Sequence, residues 1–297
     1  MFLKVAAFEF RYQLRQPAFW VIAILFALVG FGMLAMPDLN VSAGGNVYKN
    51  APYFLAAIHV SMVLFFMLGS TVIVANVIVR DVQSGYGPII QSTQLKPFDY
   101  LYGRFAGAFA ATALCFAAVT IGMFAGTLAP WIDRETIGPF RPGDYLYAYF
   151  VMGLPGVFLT CALFFMLATV TRSLMATYVG VVAVLIAYLV TTGILGSKPE
   201  LETAMAWAEP LGASAYGLVS KYWTPAEKNT LNVALTGVFL WNRLIWTGVS
   251  ILLLAATWVF YRPTVRGAKA ATADTLRKMT AAAPAAPAAT GPLPAPS

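Results

Sequence analysis

Long apolar segments alternate with shorter polar segments along the whole chain. Six of the apolar segments reach the length of about 20 residues that an α-helix needs to cross the hydrocarbon core of a bilayer. They lie at residues 18–36, 53–79, 105–129, 145–171, 173–195 and 240–261. The pattern therefore predicts an all-α, polytopic membrane protein with six transmembrane helices.

The N-terminal residues follow a different pattern, in which apolar side chains are mixed with charged ones. Lys4, Glu9 and Arg15 interrupt the apolar positions, and Pro17 then precedes the first long apolar segment. Helices of this composition lie in the plane of the membrane interface, and proline favours a helix start or break. We predict an interfacial amphipathic helix at residues 1–17, with a simple extension of the first span as the alternative.

Two local signals modify the predicted spans. The tripeptide TRS at residues 171–173 separates the fourth and fifth spans and predicts a tight hairpin with Arg172 at its tip. Within the fourth span, Gly153, Pro155 and Gly156 lie close together. Because proline and glycine disturb the hydrogen bonding of a helix, we expect a kink or an irregular turn there.

Small residues recur at helical spacing in the third span. Gly103, Gly107 and Ala111 are four residues apart, and Gly122 and Gly126 repeat the spacing further along. Residues at this spacing share one helix face, where the absence of large side chains lets a second backbone approach closely. The stripe predicts tight helix packing inside the bundle and indicates no particular function.

The remaining organisation divides the chain into a membrane part and a tail. Residues 18–262 form the predicted six-span domain, in which the polar segment 196–239 carries two candidate short helices at 200–208 and 210–222. Residues 263–297 end in a run rich in alanine and proline. Such a run does not build a core, so we predict a tail or linker.

The charged residues are few and unevenly placed. The chain is 60% hydrophobic and 10% charged, with a net charge of +7, whereas soluble domains are about 25% charged. With the N-terminus placed inside, twelve of the nineteen lysines and arginines lie on the inner side: Lys4, Arg11, Arg15, Arg80, Lys96, Arg104, Arg172, Arg262, Arg266, Lys269, Arg277 and Lys278. Cytoplasmic loops are enriched in lysine and arginine. We therefore predict that both termini are cytoplasmic, and we do not expect nucleic-acid binding.

Signals for catalysis are absent from the sequence. It contains neither a G-x-x-x-x-G-K-[ST] phosphate-binding loop nor an H-E-x-x-H metal motif, and His59 is its only histidine. Cys115 and Cys161 both lie in apolar segments, which is typical of small buried side chains. The stretch GASAYG at 212–217 has Tyr216 where a serine-nucleophile elbow needs glycine. We expect no catalytic, metal or cofactor site in this chain.

Two polar residues of the second span are candidates for lining a substrate pathway. His59 lies toward the predicted outer end and Asn76 toward the inner end. Polar groups at membrane depth face the bundle interior or a cavity. The alternative for His59 is a hydrogen bond to a backbone carbonyl, and the alternative for Asn76 is a hydrogen bond to a neighbouring helix.

Arg243, in the sequence LWNRLIW at the outer start of the sixth span, is a second kind of candidate. An arginine at the edge of the hydrocarbon either extends outward to lipid phosphates or pairs with an acid. Glu209 precedes Pro210 in the segment 196–239. A Glu209–Arg243 pair would fix that segment as an outer gate, and both interpretations remain open.

The polar stretch RDVQSGYGPIIQSTQLKPFDYLYGR at residues 80–104 is long and charged for so apolar a chain. Its order of residues resembles the first cytoplasmic loop of permease subunits of the type-2 class of ABC exporters. The matching positions are Arg80, Asp81, Gly85, Ser92, Thr93, Leu95, Tyr100, Leu101, Gly103 and Arg104. The sequence departs from the family pattern at Gln94, where that pattern has a proline, and Pro97 comes three residues later.

The resemblance extends to the layout of spans over residues 1–262. The stretch WAEPLGASAYGLVSKYWTPAEKNT, followed by LWNRLIW, looks like permeases of bacterial proteins whose membrane part is fused to a zinc aminopeptidase-like domain. The resemblance implies a permease of the bacterial inner membrane that is not itself an enzyme. A separate ABC ATPase subunit would bind ATP and magnesium and dock on residues 80–104.

The same resemblance implies a second permease copy or half as partner, with membrane lipid around both. An alternative from another class is a membrane anchor or interaction module that holds a peptidase or another cytoplasmic partner without transporting anything.

Overall fold

The structure is a computed structural model of the chain. It describes residues 1–36, 46–83 and 95–282, with side chains described up to residue 80 of the second range and up to residue 261 of the third. All the regular elements within these ranges are helical.

Eleven α-helices follow one another along the described residues. They are α1 Phe2–Leu14, α2 Pro17–Ala35, α3 Pro52–Gln83, α4 Pro97–Thr127, α5 Pro142–Tyr147, α6 Leu154–Thr171, α7 Leu174–Leu195, α8 Glu202–Ala208, α9 Ala213–Ser220, α10 Pro225–Thr230 and α11 Gly237–Ala282. Proline occupies the first turn of α2, α4, α5 and α10. Its fixed backbone angle suits a helix start, where the missing N–H costs no hydrogen bond.

Within the described ranges, six helical segments are long and apolar enough to cross a membrane, which confirms the predicted fold class. They cover Pro17–Ala35, Pro52–Arg80, Pro97–Thr127, Pro142–Thr171, Leu174–Leu195 and Gly237–Tyr261. The third begins eight residues before the predicted residue 105, because Pro97 starts a helix that continues through polar residues before the apolar part. Hydropathy locates the apolar part of such a helix and not its first turns.

The six spans differ greatly in how much of their surface the protein covers. The most apolar part of α3 is 78% buried, whereas the corresponding parts of α7 and α11 are 6% and 11% buried. The second span is therefore the central helix of the bundle. The fifth and sixth spans have apolar outer faces, which suits contact with lipid chains.

The first two helices pack against the small-residue stripe of α4, and the spacing of the stripe predicts such close packing. A Cβ atom at Gly103 would lie 2.9 Å from the Val5 Cβ, and one at Gly107 would lie 2.8 Å from the Glu9 Cβ. Further along, a Cβ at Gly122 would overlap the carbonyl oxygen of Ala27. Both α1 and α2 therefore pack on α4 at distances that larger residues would prevent.

The fourth span contains the predicted irregularity and ends in the predicted hairpin. A π-helical turn at Ala148–Gly153 joins α5 to α6, and a Cβ at Gly153 would overlap the Phe116 ring. Beyond Thr171, Arg172 adopts a left-handed conformation with φ of 52°. The Ser173 hydroxyl then accepts a hydrogen bond from the Ala176 N–H, 3.3 Å away, and caps α7.

The segment between α7 and α11 contains the two predicted short helices as α8 and α9, with α10 after them. The sixth span ends at Tyr261, close to the predicted residue 261, yet α11 continues to Ala282. The part predicted as tail or linker therefore begins as a continuation of this helix. Residues 283–297, with the proline-rich run, lie outside the described residues.

Candidate functional site

The connection between the second and third spans is shorter than the predicted loop at residues 80–104. Because α3 runs through Gln83 and α4 begins at Pro97, only residues 84–96 lie between the helices. Arg80 and Asp81 thus belong to the end of α3. The predicted bounds of the loop, residues 80 and 104, are wrong at both ends, because the charged residues there extend the helices.

The other predicted coupling residues fall into two groups. Tyr100, Gly103 and Arg104 lie in the first two turns of α4, and all three are buried. Leu95 is half-buried and lies just before that helix. The remaining predicted residues, Gly85, Ser92 and Thr93, lie outside the described residues, as does the side chain of Asp81.

A buried acid joins the two ends of this connection. Glu9 of α1 has no exposed surface. Its Oε2 atom accepts a hydrogen bond from Arg80 Nη2 at 3.0 Å and a second one from Arg104 Nη1. One carboxylate thereby holds the end of α3 and the start of α4 against the N-terminal helix. We call Glu9, Gln13, Arg80 and Arg104 the Glu9 clamp.

Further contacts, both within the clamp and to neighbouring side chains, hold it in position. Gln13 Nε2 donates to Glu9 Oε1 at 2.7 Å and to the Ile73 carbonyl at 3.3 Å, which links α1 to α3 a second time. The guanidinium of Arg80 lies 3.9 Å from the centre of the Tyr12 ring, a cation–π contact. Arg104 Nη2 donates to the Tyr100 hydroxyl at 3.2 Å.

The local sequence explains why the clamp forms. Glu9 and Gln13 are four residues apart and so lie on the same face of α1. Gly103 and Gly107 let that face approach α4, where Arg104 lies between them in the sequence. A buried carboxylate is tolerated only when opposite charges and hydrogen bonds replace its water.

Sequence reasoning counted Glu9 only as one acid of an interfacial helix and missed its role. The sequence contained a signal for it: the acid is followed by Gln13 on the same helix face, among apolar residues, and an arginine lies at each end of the stretch 80–104. Sequence spacing alone does not show which arginines it meets, because Arg80 and Arg104 are 71 and 95 residues away.

His59 is fully buried between α3 and α4. Its Nδ1 lies 2.7 Å from the Leu55 carbonyl oxygen, and its Nε2 lies 2.8 Å from Thr120 Oγ1. Because a carbonyl only accepts, Nδ1 carries the proton and Nε2 accepts from the threonine hydroxyl. This is the backbone-bonded alternative of the sequence analysis. Asn76, the other candidate for the pathway, is half-buried on α3.

The two residues of the predicted outer gate are both buried, but other groups bind them. Glu209 accepts hydrogen bonds from the Tyr188 hydroxyl at 2.9 Å, the Leu211 N–H at 2.8 Å and the Ser214 N–H at 3.1 Å. Arg243 Nη2 donates to Asn242 Oδ1 at 2.7 Å. Among the described residues, no direct Glu209–Arg243 ion pair forms. The outer gate stays a prediction, but a direct ion pair between Glu209 and Arg243 is no longer part of it.

Asn242, which the sequence analysis overlooked, makes the link that was expected of Arg243. Its Nδ2 donates to the carbonyl oxygens of Ala206 and Glu209, each at 2.9 Å. The Arg243 guanidinium packs over Gly212, where φ is +82° and a Cβ would overlap Nη2. Together these contacts fix the segment of α8 and α9 to the start of α11.

A scan of protein-family models and a search of curated proteins find no match to this chain. The candidate site is therefore assessed by its geometry. Within the described ranges, no group of three or more His, Cys, Asp or Glu residues is placed to hold a metal ion. The feature with the most defined chemistry is the Glu9 clamp, a buried acid that joins α1, the end of α3 and the start of α4.

Proposed function

We propose that this chain is the transmembrane permease subunit of an ATP-driven exporter of the ABC type. Residues 84–96, with the helix ends on either side, form the docking surface for a separate ATPase subunit. The resemblance of residues 80–104 to the loop of that family suggests the proposal. The observation that carries it is the Glu9 clamp, because a docking surface transmits force only when its base is rigid.

The clamp supplies that rigidity. A carboxylate shared by two arginines joins the end of α3 and the start of α4, and both helices are held to α1. A force on these helix ends therefore moves three helices together. Since α3 is the central helix and α4 carries α1 and α2, the displacement reaches the core of the bundle.

The proposal includes partners, cofactors and location. Two permease copies or halves form the substrate pathway, and the ATPase subunits bind ATP and magnesium. The protein lies in the inner membrane of a bacterium, with both termini in the cytoplasm and α8 to α10 on the outer side. The excess of lysine and arginine at the end that carries Arg80, Arg104 and Arg172 supports this orientation.

Purification of the tagged chain from its native membrane tests the proposal. We expect an ATPase with a phosphate-binding loop to co-purify, and magnesium-dependent ATP hydrolysis to accompany the complex. The variant Asp81→Lys reverses a charge at the docking surface and should reduce both the recovered ATPase and the coupled hydrolysis. The matched control is Glu200→Lys, the same charge reversal at an exposed position in the segment of α8 and α9.

Two results would contradict the proposal. A complex without any nucleotide-hydrolysing subunit, with a peptidase or another protein recovered instead, would favour the membrane-anchor alternative. If Asp81→Lys retains the ATPase and its full turnover, the docking surface lies elsewhere. Nucleotide-dependent movement of cargo in reconstituted vesicles separates a transporter from an anchor directly.

A further inference from the structure

A cavity of about 480 Å³ lies between α6, α7 and α11, away from the Glu9 clamp. Its volume is within the range of about 300–1,000 Å³ that small-molecule sites occupy. Along α11 its lining runs from Trp246 to Leu253, seven residues or about 10 Å at the rise of an α-helix. The lining thus extends along the direction of the spans.

The lining is apolar along most of this length. Leu159 and Leu163 of α6, Val184 of α7 and Leu253 of α11 contribute hydrocarbon side chains. Met67 of α3 adds another. Such a surface favours an aliphatic occupant, since filling the cavity with water would leave that water short of hydrogen-bond partners.

The polar groups of the lining lie toward the end nearest α8 and α9. Glu209 belongs to this end, and its carboxylate already accepts from the Tyr188 hydroxyl and from two backbone N–H groups. Trp246 also lines the cavity. In the part of the chain that the structure describes, its indole Nε1–H is buried and has no hydrogen-bond partner.

These polar groups favour an occupant that presents an uncharged hydrogen-bond acceptor. A carboxylate or phosphate at this end would be repelled by Glu209, and a cation is not required because three donors already stabilise the acid. The indole N–H is a donor only and remains to be satisfied. An uncharged carbonyl oxygen is not repelled by Glu209 and accepts a hydrogen bond from the indole N–H of Trp246.

The exposure of α7 indicates where an occupant could come from. The wall helix α7 is only 6% buried over its most apolar part, so almost none of its outer face is covered by the described residues of this chain. On the same helix, Ile186 and Leu189 are 54% and 52% exposed. Lipid hydrocarbon chains match the apolar lining in polarity, and they can reach an outer face that this chain leaves exposed.

We propose that the cavity binds one acyl chain of a membrane glycerolipid, whose ester carbonyl accepts a hydrogen bond from Trp246 Nε1–H. Trp246 lies in the third turn of α11, near the end of the span, where the ester groups of the nearer leaflet lie. The chain runs from there toward Leu253. The inference concerns binding alone and does not depend on the proposed ATPase or on transport.

Photolabelling tests the proposal. The purified chain is placed in nanodiscs of phosphatidylcholine that contain a small fraction of phosphatidylcholine with a diazirine on its acyl chain. After illumination, mass spectrometry locates the lipid adducts. We expect adducts concentrated on the lining residues, Leu163 and Val184 among them, above the level on the exposed face of α7.

Three variants distinguish lipid binding in the cavity from lipid contact with the outer surface. Leu163→Trp fills the cavity and should reduce its adducts to the level of the exposed face, whereas Ile186→Trp places the same ring on the outer face of α7 and should leave them unchanged. Trp246→Phe keeps an aromatic ring but removes the donor. It should weaken labelling about two- to tenfold, the value of one hydrogen bond.

Each other outcome overturns the proposal. Uniform adducts over all exposed spans, unaffected by Leu163→Trp, would mean surface lipid only. Cross-links that place a second copy of the chain over α7, with no lipid adduct in the cavity, would assign that face to a dimer. If Leu163→Trp lowers the melting temperature, Val184→Phe replaces it as the filling variant, and unchanged labelling there has the same meaning.

Discussion

Glu9 is a fully buried acid whose two arginine partners come from two other helices. A carboxylate with no exposed surface loses its hydration on folding, and Arg80 and Arg104 replace it with two charge-assisted hydrogen bonds. The net stabilisation of such a buried group is small, because attraction and desolvation oppose each other. Removal of one partner is costly for the same reason, since the remaining charges stay buried without compensation.

We predict that Glu9→Ala lowers the free energy of unfolding by about 3–5 kcal/mol, the usual cost of breaking a buried ion pair from one side. The control is Glu202→Ala. That carboxylate contacts Lys221 Nζ at 2.5 Å in an exposed pair, and exposed pairs contribute about 1 kcal/mol or less. Thermal unfolding in detergent compares the two variants. Equal losses for both would show that the clamp does not hold α1.

At the scale of helices, close packing depends on glycines whose missing side chains admit a second backbone. Gly122 of α4 faces the carbonyl of Ala27 in α2, whereas a Cβ at Gly248 of α11 would meet nothing within 4 Å. Gly122 belongs to the small-residue stripe of α4, whereas Gly248 has no such stripe around it. Their neighbours in the fold give them opposite roles.

The same substitution at these two glycines should therefore have opposite effects. Gly122→Ala forces α2 away from α4 and should destabilise the protein by about 1–3 kcal/mol, the usual cost of overpacking. Gly248→Ala adds no contact and restricts the unfolded chain, so it should stabilise by about 0.4–1 kcal/mol. Melting temperatures of the two variants, compared with that of the unchanged protein, test this prediction. A loss of stability at Gly248 as large as at Gly122 would contradict the packing argument.

At the scale of the whole molecule, the arrangement of charges assigns a side to each end of the bundle. Arg80, Arg104 and Arg172 lie at one end, and the segment of α8 to α10 lies at the other. The excess of lysine and arginine predicts that the first end faces the cytoplasm. Both native cysteines, Cys115 and Cys161, are buried, so they give little background in a labelling experiment.

Single cysteines introduced at Gln83 and at Lys198 test this orientation with a membrane-impermeant thiol reagent. In intact cells we expect Lys198→Cys to react and Gln83→Cys to remain unlabelled. After permeabilisation both should react, which is the control that each site is accessible. Labelling of Gln83→Cys alone in intact cells would reverse the proposed orientation.

Much of the fold follows from the sequence because its signals are local. The length of an apolar segment predicts a span, the stretch at residues 171–173 predicts a hairpin, and Gly153 with Pro155 predicts the irregular turn. The glycine stripe of α4 predicts close packing without naming the partner. Each signal depends on neighbouring residues only. The structure agrees with all of them, apart from the helical extensions at residues 80–83 and 97–104.

The sequence by itself determined which segments are helical spans, but only the tertiary structure decided how they are arranged. The mean hydropathies of the second and fifth spans are 2.4 and 2.2, yet one is 78% buried and the other 6%. Protein interior and lipid are equally apolar, so hydropathy does not separate a central span from a peripheral one. The Glu9 clamp depends on the same arrangement, because its three charges meet only after α1, α3 and α4 have packed.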